Sequence, residues 1–323
     1  MKKVLVVLPI KGRFHDLVEA GVTDCEFVYA DQDAVTVEQI NDADIILGNV
    51  HPPEKLKAPE KLEYIALESA GADAYVKPGI LAPHTVMTNA TGVYSKTVAE
   101  HGLAMTLALM KNLPYYRDRQ AEGRWYGVYQ GDMISRSPAD SVVLVVGLGD
   151  IGLYYARLMK ALGATVIGVK RRPSACPDCV DELYTTDQLE DVIGRADVIF
   201  SVLPGTKATY HLYSRDLFSK MKKTAIFVNC GRGASVDTDA LCDALDEGII
   251  ERAGCDVFEV EPLPADHRAW KNEKLLITPH RAGFYDLPGT LEGLARFSNA
   301  NLRAWLNGGE LTNVVDFATG YKK

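Results

Sequence analysis

The chain has 323 residues, 47% of them apolar and 24% charged, enough to bury a full hydrophobic core while staying soluble, and long enough for two domains. Its 35 basic and 43 acidic side chains leave a formal charge of −8 with no run of like charges, which argues against nucleic acid as a partner. No segment reaches the roughly 20 apolar residues of a membrane-spanning helix, so no membrane partner is expected. The apolar run at 4–10 breaks at Lys11 with no small-residue cleavage site after it, and reads as a first buried strand rather than a secretion signal. The chain reads as soluble and cytoplasmic.

Short apolar runs recur at 4–8, 26–30, 44–47, 64–67 and 86–87, separated by helical or polar segments. Parallel strands with crossover helices fit that alternation better than hairpins do. The stretch 93–112 carries Val98, Leu103, Met105, Leu107, Leu109 and Met110 with no breaker before Pro114, and predicts one long, mostly buried helix. A polar, aromatic-bearing stretch follows at 115–140, with Arg124-Trp125-Tyr126 and no clear period. It is either a connecting arm that packs on another subunit or a plain surface loop. From Ser141 the alternation becomes regular, with strands expected at 142–146, 165–169, 197–203, 225–229, 252–257 and 275–278. Helices are expected at 151–162, 187–195, 215–221 and 238–247, giving a six-stranded doubly wound parallel sheet. A turn signal at Pro288-Gly289 and a last amphipathic stretch at 291–306 follow.

The run Val142-Val143-Leu144-Val145-Val146 leads into Gly147-Leu148-Gly149-Asp150-Ile151-Gly152 and then a helix. In that setting the glycines permit a tight turn, admit a pyrophosphate against the backbone and let the helix pack closely, so the loop predicts dinucleotide binding. A methyltransferase uses a similar loop and is the competing reading. Ligands bind beyond the carboxyl ends of an open parallel sheet, and the six ends present Gly147, Lys170, Pro204, Arg232, the acidic cluster at 256–261 and His280. Singly, each has an ordinary explanation: a surface histidine, a surface charge, a loop acid. Together, beside a dinucleotide loop, they supply a base, a cation and a carboxylate on one edge.

The remaining reactive residues read as bland. His15, His51, His84, His211 and His267 fall in loops or polar segments and are taken as solvated, His51 being the one placed to face the cleft, while His101 on the long helix is taken as structural. The six cysteines form no disulfide framework, and three are expected to be buried. Cys176-Pro177-Asp178-Cys179 has the spacing that a redox site or half a zinc site would use, but no second Cys or His pair lies nearby to complete four ligands.

These motifs resemble those of the D-isomer-specific 2-hydroxyacid dehydrogenases, over nearly the whole chain. The resemblance rests on the 147–152 loop, on Val228-Asn229-Cys230-Gly231-Arg232-Gly233 followed by Val236-Asp237, and on Asp256-Val257-Phe258-Glu259-Val260-Glu261-Pro262. It also rests on Thr278-Pro279-His280 with Ala282-Gly283, on Ser69-Ala70-Gly71-Ala72-Asp73 and on Val98-Ala99-Glu100-His101. Val180-Asp181-Glu182-Leu183-Tyr184 and Pro262-Leu263-Pro264-Ala265-Asp266 look most like the glyoxylate/hydroxypyruvate reductase branch.

The resemblance implies two doubly wound parallel-sheet domains with a cleft between them: a Rossmann nucleotide domain, residues 94–286, inserted into a flavodoxin-like substrate domain, residues 1–93 and 287–323. It implies reversible hydride transfer between a nicotinamide cofactor and a small 2-keto or 2-hydroxy acid of the D series. His280 is then the proton donor, Glu261 its orienting carboxylate, and Arg232 the fork that holds the keto acid. Backbone N–H groups of Ala70, Gly71 and Ala72 receive the substrate carboxylate. Cofactor contacts fall to Gly147, Gly149, Asp150, Ile151, Gly152, Leu203, Pro204 and Thr97, with Asp256 on the nicotinamide carboxamide. The long helix and the arm around Trp125 serve a homodimer, and no metal is required. A binding protein of the same fold, a dinucleotide-sensing corepressor, is the alternative from another class.

The choice of nicotinamide follows from a departure from the usual pattern. An NAD enzyme of this fold places Asp or Glu at the end of the second strand to bond the ribose 2′-OH. Here that place falls to Lys170, followed by Arg171 and Arg172. Three cations suit a 2′-phosphate, so NADP(H) is the expected cofactor, with NAD(H) as the second one admitted.

Overall fold

Runs of aliphatic residues too short for helices, buried on both faces, are what a parallel sheet needs at its centre. The computed structural model describes residues 1–125, 135–285, 287–318 and 320–322, which fall into two compact units, Met1–Tyr94 with Phe284–Lys323, and Ser95–Gly283.

In the first unit the strands are β1 (Lys2–Val6), β2 (Cys25–Tyr29), β3 (Ile45–Leu47), β4 (Tyr64–Ala66) and β5 (Val86–Thr88), with helices α1 (Arg13–Glu19) and α2 (Val37–Asp42) between the first three. All pair in parallel in the order β2-β1-β3-β4-β5, the flavodoxin-like order. Ile45, Ile46 and Leu47 have no exposed surface, so β3 sits at the centre as its composition requires.

The second unit opens with α3 (Ser95–Met110), the predicted long helix. It is followed by α4 (Leu113–Ala121), where the sequence suggested only an arm or a loop. Pro114 misled that reading. It lies in the first turn of α4, where its missing N–H costs nothing, and Asn112 turns the chain into it at φ +59°. Tyr126 and the rest of the expected arm through residue 134 lie outside the described residues.

A seven-stranded parallel sheet follows, not the six strands expected. Its strands and helices are β6 (Val142–Val146), α5 (Asp150–Ala161), β7 (Thr165–Lys170), β8 (Glu182–Thr185), α6 (Leu189–Ile193), β9 (Val198–Ser201), α7 (Arg215–Ser219), β10 (Ile226–Asn229), α8 (Thr238–Asp246), β11 (Arg252–Cys255) and β12 (Leu275–Ile277). The order β12-β11-β10-β9-β6-β7-β8 is that of a Rossmann sheet with one strand added. The unread strand, β8, is half-buried at the edge beyond β7, and its polar Glu182 and Thr185 leave no apolar run to read. Pro288-Gly289, expected as a turn, instead opens α9 (Pro288–Leu306), which packs on α1 in the first unit. No described helix is long and apolar enough to cross a membrane.

Two glycines explain how α5 seats on its strand. Gly147 turns at φ +104°, with Val202 O only 2.7 Å from where a Cβ would lie. At Gly152 a Cβ would stand 2.0 Å from Gly147 O, so the helix start and the strand end touch through backbone alone. Gly152→Ala should therefore force α5 away from β6, lowering Tm by roughly 3–10 °C in a thermal melt and weakening dinucleotide binding. An unchanged melt would show that the helix can shift without cost.

Candidate active site

Parallel pairing places Asn229 of β10 beside Ser201 of β9 and Cys255 of β11, and Cys255 beside Ile277 of β12. The segments that leave these strands therefore meet on one edge. Their approach is close: a Cβ on Gly231 would lie 2.6 Å from Leu203 N, and one on Gly233 1.9 Å from Phe258 C and O. Glycine at both positions lets the Arg232 segment fit between the Leu203-Pro204 and Phe258 segments. Ser235 Oγ and Asn229 Nδ2 then hold the Arg232 carbonyl, at 2.7 and 3.3 Å.

His280 leaves β12 in the left-handed region at φ +52°, a conformation costing a non-glycine residue on the order of 1 kcal/mol. Its N–H is held by Asp256 O at 2.7 Å and Thr278 O at 3.0 Å. Its Nδ1 lies 2.7 Å from Glu261 Oε2, while Glu261 Oε1 accepts from the Phe258 N–H at 2.9 Å. That hydrogen bond to Glu261 raises the imidazole above its ordinary range despite opposition from burial and from the Arg232 charge. Burial pushes the Glu261 carboxyl up, but the bonds from His280 and Phe258, with the Arg232 charge, more than offset it and leave Glu261 below the ordinary range. The contact thus favours the imidazolium over the neutral ring. The half-exposed side chain leaves it open to a reactant.

Asp256 is 1% exposed and heavily engaged. It accepts from Thr278 Oγ1 at 2.6 Å, from the Arg281 N–H at 2.8 Å and from the Ala282 N–H at 3.0 Å. His101 Nε2 lies 3.0 Å from Thr278 Oγ1, so the histidine read as structural supports the base of the His280 loop. Sequence reasoning missed this link because α3 and β12 are far apart in the chain.

The dinucleotide residues fit their group. Gly149, in extended backbone, precedes Asp150 at the start of α5, and a Cβ there would meet nothing within 4 Å, so the backbone is open to a phosphate at a helix N-terminus. Ile151 and Gly152 complete that turn. Lys170 ends β7 with its Nζ 2.9 Å from Ser174 Oγ, and Arg171 and Arg172 are exposed beside it. Of the acids that follow, Asp181 is paired with Lys160 and Glu182 with Arg195. Thr97 lies half-buried in the first turn of α3. Ala70, Gly71 and Ala72 belong to the first unit, where Asn89 Nδ2 holds the Ala70 carbonyl at 2.8 Å and Ser69 Oγ holds the Gly71 carbonyl at 2.6 Å. Among the described residues, none accepts from the N–H groups of Ala70, Gly71 or Ala72.

The sequence profile of the D-isomer-specific 2-hydroxyacid dehydrogenase NAD-binding domain matches residues 103–282. The chain belongs to that family. It is 31% identical to a glyoxylate reductase of Korarchaeum cryptofilum over 77% of this chain and 76% of that one. It is 30% identical to a glyoxylate/hydroxypyruvate reductase B of Serratia proteamaculans over 81% of this chain and 80% of the other. A D-isomer-specific 2-hydroxyacid dehydrogenase from Xanthobacter autotrophicus, solved with NADPH and MES, superposes with a TM-score of 0.83 at 26% identity, covering 99% of both chains. The chain is therefore a hydride-transferring oxidoreductase that takes a nicotinamide dinucleotide and a small hydroxy or keto acid. The corepressor alternative is not favoured.

Three histidines read as solvated are engaged. His211 Nε2 lies 2.7 Å from Glu259 Oε1, His15 stacks on Tyr29 at 4.0 Å, and His267 Nδ1 accepts from the Ala269 N–H at 3.1 Å. His51 and His84 are exposed. All six cysteines are free, with Cys179, Cys230, Cys242 and Cys255 buried, one more than expected.

Because only the imidazolium can donate a proton, the rate of keto-acid reduction should fall as pH rises through the raised His280 pKa. Glu261→Gln removes the partner that raises it, so a kcat/KM profile should show this limb moved to lower pH. No movement would remove Glu261 from the role. His280→Ala should lower turnover by about a hundredfold with cofactor affinity unchanged in a fluorescence titration.

Proposed function

We propose that the protein reduces glyoxylate, hydroxypyruvate or a similarly small 2-keto acid to the corresponding 2-hydroxy acid, of the D series where that carbon is chiral, with NADPH as the preferred donor. The observation that carries this reading is the His280–Glu261 pair, 2.7 Å apart and joined electrostatically to Arg232 on the edge where the dinucleotide loop also ends. When bound, the reduced nicotinamide supplies the hydride. His280 gives the Nε2 proton to the carbonyl oxygen as charge builds there, and Glu261 keeps Nδ1 occupied so that the ring does not rotate. Arg232 binds the carboxylate and carbonyl oxygens with two parallel N–H groups, a fork Lys cannot reproduce. The N–H groups of Ala70, Gly71 and Ala72 form the receptor for the carboxylate, in keeping with their lack of acceptors among the described residues. In the oxidative direction neutral His280 takes the proton back.

Gly147, Gly149, Asp150, Ile151 and Gly152 hold the pyrophosphate, Lys170 and Arg171 the 2′-phosphate with Arg172 beside them, and Thr97, Leu203, Pro204 and Asp256 line the nicotinamide end. The D series rests on the family to which the chain belongs, and the small side chain on the glyoxylate and hydroxypyruvate reductases to which it is similar. We further infer a homodimer: Leu113, Tyr116 and Trp125 expose 54%, 44% and 98% of their surface along α4 and just beyond it, apolar surface that a second subunit would cover.

The loss of nicotinamide absorbance with a panel of keto acids tests the reaction. NADPH should exceed NADH in kcat/KM by at least about tenfold, since each charge-assisted bond to the 2′-phosphate contributes that much or more in affinity. Equal efficiencies, or a preference for NADH, would defeat the cofactor assignment. Turnover of none of the acids, with dinucleotide still bound, would defeat the substrate assignment.

A further inference from the structure

Glu68 lies just beyond β4 in the first unit and is 1% exposed, yet the acid–base chemistry of the other unit makes no use of it. Its oxygens collect donors from separate parts of the chain. Oε1 accepts from Tyr285 OH at 2.7 Å and from the Gln32 amide, and Oε2 accepts from the Asn49 N–H at 3.3 Å. In return Asn49 Oδ1 accepts from the Glu68 N–H at 3.2 Å, a reciprocal pair that ties the end of β3 to the end of β4. The Glu68 carbonyl accepts from Tyr94 OH at 2.7 Å.

The placement of the two tyrosines sets this cluster apart from ordinary packing. Tyr94 is the last residue of the first unit before the chain leaves it, and Tyr285 is the second residue after the chain returns. Both points are therefore fastened to one residue, and the two rings meet edge to face at 6.2 Å. The main chain that follows Glu68 is the 69–72 loop. It is pinned from the far side by the Ala90 N–H on Ser69 O at 3.0 Å and by Asn89 Nδ2 on Ala70 O at 2.8 Å, both from beyond β5. Burial raises the Glu68 carboxyl above its ordinary range, against the pull of the bonds from Tyr285, Gln32 and Asn49. An apolar side chain would fill the same space without that cost, so what the carboxyl adds is the set of groups it holds.

We propose that Glu68 is the positioning residue of the substrate loop, fixing the 69–72 main chain and the two chain crossings to one point so that the loop N–H groups keep the geometry that receives a carboxylate. Glu68 acts through that backbone and does not touch the acid itself. The proposal rests on the assignment of this loop to the substrate carboxylate.

The test compares Glu68→Ala, Glu68→Gln and Tyr285→Phe, the last removing only a hydroxyl, by glyoxylate kinetics and by amide exchange at Ala90, whose N–H bonds Ser69 O at 3.0 Å. Glu68→Ala and Tyr285→Phe should each raise KM for glyoxylate about tenfold, the scale of a lost hydrogen bond to a charged group, with kcat within about threefold of wild type. Exchange at Ala90 should quicken while the NADPH Kd stays unchanged. Glu68→Gln, which keeps an acceptor at Oε1, should recover most of the KM loss. A lower melting temperature with KM and exchange unchanged in Tyr285→Phe would make the cluster a packing feature and overturn the proposal. Should the wild type reduce no keto acid, the substrate assignment fails by itself. The exchange result then decides alone: faster exchange in Tyr285→Phe sustains the anchoring role, and unchanged exchange overturns it.

Discussion

A strand paired in parallel with its neighbour must return by a crossover, so every strand in such a sheet delivers its carboxyl end to the same edge. Each functional segment of this protein depends on that constraint. In the second unit it brings the ends of β6, β7, β9, β10, β11 and β12 to one side, placing a glycine turn, a basic turn, an arginine, a carboxylate and a histidine within one sheet edge. In the first unit the same constraint gathers Asn49, Glu68 and Asn89 beyond β3, β4 and β5. Backbone N–H and C=O groups are consumed by the ladders up to these ends. Beyond them the chain has polar groups to spend on a ligand or on holding one loop to the next.

Much of this was legible because buried parallel strands are nearly continuous aliphatic runs. Val142–Val146 was read with both bounds correct, and the ends from which Arg232 and His280 emerge followed from β10 and β12. What escaped reading had a common cause. β8 carries Glu182 and Thr185 on a half-buried edge, so its pairing with β7, not its hydrophobicity, makes it a strand. α4 and the start of α9 were obscured by Pro114 and Pro288, whose meaning reverses between the interior of a helix and its first turn. In the site, His280, Glu261 and Arg232 could be named from their motifs. The contacts of His101 with Thr278 and of Tyr94 and Tyr285 with Glu68 could not, because they join residues far apart in sequence by geometry alone.

His280 and Glu261 also show how a half-exposed histidine can be made to favour its charged form. Burial and the Arg232 charge both work against an imidazolium at position 280, and the Glu261 hydrogen bond prevails. Glu261 in turn stays ionised although burial opposes it, since it accepts from both the ring and the Phe258 N–H. Neither group would keep its charge as well alone.

Asp256 carries the argument one step further. A carboxylate offers about four lone-pair sites, and here the Thr278 hydroxyl and the Arg281 and Ala282 N–H groups take three of them. Its main-chain oxygen meanwhile holds the N–H of His280 itself, at 2.7 Å. The left-handed backbone at His280 is therefore bracketed by one residue, before it through Thr278 and after it through residues 281 and 282. A strained conformation persists only where its surroundings over-determine it, and this bracket is what over-determines it. His101 Nε2, 3.6 Å from Asp256 Oδ1, draws the long helix onto the same buried carboxylate. The ends of β11 and β12 and the start of α3 are in this way tied to the loop that carries His280.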